Sequence, residues 1–165
     1  MKCWSFIFCS WAAGWLALPS AVIGQSSEGL DKKGFYQAMS SGELAVVTNE
    51  LQKVQVSDPT GQNAFLGGLT MKKAGLIVDP HKKLSLFKSG RTKLEAAIHA
   101  SEENAEYRFV RLMVQEHAPA FLGYHAEIKA DRELILKSFS HLPADTQGYI
   151  LDYSKKSTIL KPGDF

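Results

Sequence analysis

Arg108 and Arg111 lie three residues apart in the stretch ENAEYRFVRLMVQEHAP, residues 103–119, among Phe109, Val110, Leu112, Met113 and Val114. A guanidinium group meets carboxylates and phosphates through paired hydrogen bonds, so such a pair points first to anion binding. Residues three and four apart are neighbours on a helix, which places Arg108, Arg111 and Gln115 on one polar stripe. Their surroundings are mostly apolar, so at least one arginine is expected to be half buried, and a buried guanidinium needs an acceptor. An antiparallel hairpin about the turn SEEN, residues 101–104, brings Glu95 opposite residues 108–111. Arg108, Arg111, Glu95 and Gln115 are therefore the candidate binding group. The spacing favours an inter-helix arginine–glutamate network over an open anion pocket.

Other reactive residue types lack the spacing that their chemistry requires. His117 and His125 are eight residues apart with Pro119 between them. Zinc ligands on a helix are commonly two histidines four apart, so these read as surface or capping histidines. No Gly-x-Ser-x-Gly elbow is present, and no serine has a histidine at an informative offset. The segment KSGRTK, residues 88–93, lacks the first glycine of a phosphate loop, and Gly90 reads instead as a packing glycine. Lysine doublets at 32–33, 72–73, 82–83 and 155–156 are scattered and interleaved with acids, the pattern of a solvated surface. A net charge of +2 gives no electrostatic footprint for nucleic acid. No catalytic residue, metal ligand or cofactor is expected, and the reading leans away from an enzyme.

The first 24 residues have the layout of a secretory signal: Lys2, an apolar run from Cys3 to Leu18, Pro19, then small residues up to Gly24. Cleavage is expected near Gly24, with Ala21 as a second option, and membrane contact only through the uncleaved segment. Both cysteines, Cys3 and Cys9, fall inside it, so the processed chain is expected to have neither disulfide nor thiolate. Without Lys2, 18 basic residues face 17 acidic ones. A chain of this length can bury enough core to fold without staples.

The elements that must position the arginines read as helices. After a flexible lead-in, 25–31, a helical domain is expected over 32–156, with a C-terminal tail at 157–165 expected to be extended. Leu44, Val47, Leu51 and Val54 recur at spacings of three and four, as do Leu84, Phe87, Arg91, Leu94 and Ile98. Asp79-Pro80 is a helix start, SDPTGQN a break, and Pro119 a helix end. Residues 120–142 read as one long helix or two abutting ones, with Gly123 or Asp131 as the kink. Glycines at 67, 68 and 75 suit close helix contacts. The fold class is all-α: about seven helices with short, antiparallel connections, either stacked hairpins of tetratricopeptide-like kind or an irregular bundle.

The segments NAFLGGLTMKKAG and LEAAIHASEENAEYRF resemble the first and second helices of tetratricopeptide-type hairpins. The corresponding aromatics, Phe65 and Tyr107, are 42 residues apart, against about 34 in the standard unit, so the resemblance implies helical hairpin stacking and not a regular array. Across AFLGGLTMKKA, LFKSGRTKLEAAI and EYRFVRLMVQEHAPAFLGY the chain resembles a family of small exported helical proteins from Bacteroidota. That likeness implies an envelope location and a helical fold, and brings no site residues. The expectation for function is an exported domain, periplasmic or secreted, that binds another envelope or extracellular protein. The rivals are a small enzyme with an Arg/Glu cleft and a carrier holding an apolar ligand in its core.

Overall fold

The computed structural model describes residues 30–57 and 63–165. The expected signal segment and the turn-forming Asp58, Pro59 and Gly61 lie outside the described residues. The described chain forms seven α-helices: α1 (Lys32–Ser40), α2 (Leu44–Ser57), α3 (Asn63–Leu76), α4 (Pro80–Ala100), α5 (Ala105–His117), α6 (Ile128–Ser138) and α7 (Ala144–Ser154). Short 3-10 turns occupy Ala120–Leu122, Phe139–His141 and Pro162–Asp164. The fold is all-α, with helices packed on helices.

Local chemistry starts the helices where the capping residues stand. Asp79 accepts from the backbone N–H groups of His81 and Lys82 at 2.9 and 3.1 Å, with Pro80 in the first turn. Asn104 does the same for Glu106 and Tyr107, which starts α5 directly after the SEEN turn. Asp31 caps α1 through Gly34 N–H at 3.0 Å.

Consecutive helices pair as α1–α2, α3–α4 and α5–α6, and α3 also packs on α1, α2 and α5. The most extensive contact is α3 against α4. Two glycines set its closeness: a Cβ on Gly67 would stand 2.6 Å from the Gly90 carbonyl oxygen, and one on Gly90 would stand 2.7 Å from the Gly67 oxygen. Gly67 also approaches Leu94 while Gly90 approaches Met71, so the two helices run antiparallel. Gly68 makes room for Val110 of α5 in the same way, whereas Gly75 has open space around its Cβ position. The core lies between these layers, with Phe35, Val47, Leu69, Leu94, Phe109, Ile135 and Ile150 fully buried.

Two sequence expectations are corrected. Residues 120–142 do not form a continuous helix or abutting pair. The 3-10 turn ends at Gly123 in the left-handed region, φ +59°, and α6 begins only at Ile128. The residue that ends the 3-10 turn is the expected kink glycine; Asp131 lies inside the first turn of α6. The 157–165 segment is not extended throughout: it contains the 3-10 turn Pro162–Asp164 and packs on the helices. Leu160 is fully buried, the Phe165 ring packs on Phe139 at 4.4 Å, and Arg132 holds Asp164 at 2.8 Å and the Ile159 carbonyl at 3.1 Å.

Candidate functional site

Helix α5 presents two different faces, because residues 108, 111 and 115 lie opposite residues 113 and 117 at 3.6 residues per turn. The first face carries the arginines. Arg111 is 4% exposed, and its Nε and Nη2 donate to Asp131 Oδ2 and Oδ1 at 2.7 and 2.6 Å, a two-point grip on a carboxylate that is itself fully buried. Its Nη1 donates to Glu95 Oε2 at 2.8 Å. Arg108 donates from Nη1 to Asp131 Oδ1 at 3.2 Å, and from Nε and Nη2 to the Glu102 carbonyl at 3.1 and 3.0 Å. Burial alone would lower the Arg111 pKa, but the hydrogen bonds and charge of Asp131, and then Glu95, raise it above the ordinary arginine value, so the group is always charged.

The joint extends to α4 and to the loop before α6. Tyr124, 3% exposed, donates its hydroxyl to Glu95 Oε1 at 2.5 Å, and the Arg91 guanidinium lies 4.8 Å over the Tyr124 ring. Burial first, and the Glu95 carboxylate second, push the Tyr124 pKa well above the ordinary tyrosine value, the opposite of what a phenolate base needs. A cleft of about 490 Å³ borders Arg91, Glu95, Arg108, Arg111 and Tyr124.

Of the residues singled out from sequence, Arg108, Arg111 and Glu95 are brought together as one cluster. Gln115 borders the same cleft, 1% exposed, and its Oε1 has no hydrogen-bond partner among the described residues. Asp131 was missed, although it is the principal partner of both arginines. Its signal was a carboxylate standing between Ile128 and Ile135 at spacings of three and four, on the face of α6 that packs inward. The α4–α5 hairpin expected to supply the pairing supplies Glu95 to Arg111 and the Glu102 carbonyl to Arg108; the α5–α6 hairpin supplies Asp131, which both arginines share.

Two more carboxylates of α5 act as polar ties. Glu106 accepts from Lys32 Nζ at 2.9 Å, Tyr36 at 3.1 Å and Thr146 at 3.2 Å, joining α5 to α1 and α7. Glu116 accepts from Tyr153 and Ser157 hydroxyls, both at 2.6 Å, from Thr158 Oγ1 at 2.7 Å and from the Thr158 backbone N–H. Burial would raise the Glu116 pKa, but the bonds from Ser157, Tyr153 and Thr158 outweigh it and hold the carboxyl below the ordinary glutamate value. His117 Nδ1 lies 3.0 Å from the Met113 carbonyl and His125 Nε2 lies 3.0 Å from the Ala118 carbonyl, both within bonding reach of backbone. Among the described residues no cluster of three or more His, Cys, Asp or Glu side chains is placed to hold a metal ion.

The opposite face of α5 borders a larger open groove of about 1040 Å³, framed by α1, α3, α5, α7 and the first turns of α4. Its floor includes Met39, Met71 and Met113, which are all the methionines of the chain except Met1. Phe121, 84% exposed, and Leu84, 41% exposed, stand at its edge. Lys33, Lys72, Lys83 and Lys156 line it as well. The lysine doublets are thus not merely a scattered solvated surface: one lysine from each of the four doublets converges on this groove. Sequence reading missed this because the four pairs are spread over more than a hundred residues and only the tertiary packing of α1, α3, α4 and α7 joins them.

No helix among the described residues is long and apolar enough to cross a membrane. A scan of protein-family models, a search of curated proteins and a search of solved structures each return no match to this chain.

Proposed function

We propose that this is an exported, non-catalytic helical domain that works by binding another protein in the groove between α1, α3, α5 and α7. The observation that carries the reading is the groove itself: open, about 1040 Å³, and floored by three methionines with Phe121 exposed at its edge. Methionine side chains are flexible and polarisable, so they adapt to apolar partners of differing shape. Stacked helical hairpins also produce concave surfaces that extended or helical segments occupy. Export rests on the N-terminal pattern of Lys2, an apolar run and small residues. The resemblance to small exported proteins of Bacteroidota agrees with that location.

The rival readings find less support. An anion-binding or catalytic cleft at the arginine pair needs a guanidinium with no carboxylate, and Arg108 and Arg111 already hold Asp131, while Arg91 at the same cleft lies over the Tyr124 ring. A carrier with its ligand inside the core needs a closed cavity, whereas the large apolar space here is open to one side.

The methionines offer a direct test. In a sample labelled at methionine methyl groups, a synthetic amphipathic helical peptide is titrated and the methyl resonances are followed. The expected result is saturable movement of the Met39, Met71 and Met113 signals. Resonances that stay fixed throughout the titration, with changes confined to the neighbourhood of Tyr124, would sink the reading.

A further inference from the structure

Three of the four groove lysines differ from their doublet neighbours in one respect. Lys32 is bonded to Glu106 at 2.9 Å, Lys82 lies 3.8 Å from Asp79, and Lys155 is bonded to Asp152 at 2.6 Å. Lys33, Lys83 and Lys156, the other members of those doublets, make no ion pair among the described residues, and neither does Lys72. Asp152 is the one carboxylate in the groove lining, and Lys155 already holds it. Four ammonium groups from four helical segments therefore surround an apolar floor with their charge unanswered. Lys72 is half buried there, and burial pulls its pKa below the ordinary lysine value; a carboxylate brought beside it would relieve that cost.

Building on the groove reading above, we propose that the partner is an acidic amphipathic helix: its apolar stripe lies on Met39, Met71 and Met113, and carboxylates on its flanks meet Lys33, Lys72, Lys83 and Lys156. An apolar stripe at i, i+3, i+4 and i+7 is the usual way a helix enters such a groove. The distribution of the lysines favours a helix over a single anionic amphiphile. They come from α1, α3, α4 and the turn after α7, four separate elements that frame the groove. One headgroup would answer one or two of them, whereas carboxylates spaced along a helix answer all four. Complementary charge across the rim would also set orientation and raise the association rate, since rim charges act on encounter and register more than on raw affinity.

The test uses the purified protein and three probes: two peptides of about 16 residues with one identical leucine stripe, flanked by glutamates in one and by lysines in the other, and sodium palmitate. The glutamate peptide is expected to bind at least about tenfold tighter than the lysine peptide at low salt, and the difference should shrink severalfold at about 0.5 M salt. In a Lys72→Gln/Lys83→Gln double variant the ratio should fall severalfold while the thermal melt stays in place. Equal binding of the two peptides overturns the charge assignment and leaves the groove reading standing. If neither peptide binds, the groove reading itself fails. Palmitate that binds and excludes the glutamate peptide, where that peptide alone binds weakly, overturns the helix in favour of an anionic lipid.

Discussion

The two faces of α5 handle charge in opposite ways. On one, Arg111 and Arg108 are held by Asp131, with Glu95 and the Glu102 carbonyl completing the set, and Tyr124 closes over Glu95. On the other, four lysines stand around methionines with no carboxylate bonded to them among the described residues. Both regions combine cations with apolar side chains, and from composition alone they look alike. The difference lies in whether the fold has already supplied the counter-charge. A buried cation with its partner in place is an internal joint, and removing that partner is costly. A partly exposed cation without one costs the isolated chain little and remains free to meet a ligand.

The contrast predicts a wide spread of mutational effects. Asp131→Ala leaves Arg111 buried and without its two-point partner, and should destabilise the fold by about 3–5 kcal/mol in urea unfolding. A loss of less than about 1 kcal/mol would mean that the arginine face is not a joint, and the comparison would collapse. Gly67→Ala drives a methyl group into the Gly90 carbonyl and should cost about 1–3 kcal/mol, because antiparallel backbones must move apart to admit it. Glu95→Ala should cost about 1–2 kcal/mol, less than Asp131→Ala, since Arg111 keeps Asp131 and Glu95 is partly exposed. Should the order of those two reverse, Glu95 and not Asp131 would be the anchor.

Glu116 sharpens the comparison through pH. Its folded pKa lies below its unfolded one, so its contribution is fully present above the ordinary glutamate pKa and is lost as pH falls through the folded value. Glu116→Gln should therefore be less stable than the parent at neutral pH, and the gap should close on the acid side of about pH 4. A gap that persists unchanged into acid would show that the Tyr153, Ser157 and Thr158 bonds do not depend on the carboxylate charge. The smallest effect belongs to the groove: Lys83→Gln and Phe121→Ser should each change stability by less than about 0.5 kcal/mol, because neither side chain is bonded into the fold. A larger loss at either position would make the groove rim part of the scaffold.

Much of this architecture was legible along the chain. The apolar spacing from Val47 to Val54 and from Phe87 to Ile98 marks buried helix faces, and Asp79-Pro80 marks a start, because periodicity and capping are local properties. Local, too, is the need of Arg111 for an acceptor, which the apolar company of α5 announces. Which acceptor it takes was not legible. Asp131 is 20 residues away across an irregular 123–127 segment, and a continuous helix through that region would have carried it to a different place. The tail was misread for a similar reason: STILKPGDF has no helical period, and Leu160 is buried by long-range packing alone.

By itself, then, the order of residues determines that this chain makes helices, where most of them begin, and that α5 must bury charge, since each follows from neighbours within a turn or two. The tertiary structure alone decides which charges are answered. It brings Asp131 to the arginines and lets four distant lysines share one groove without an acid of their own. Counter-charge is a matter of distance in space, and local sequence patterns do not encode distance between elements that meet only after folding.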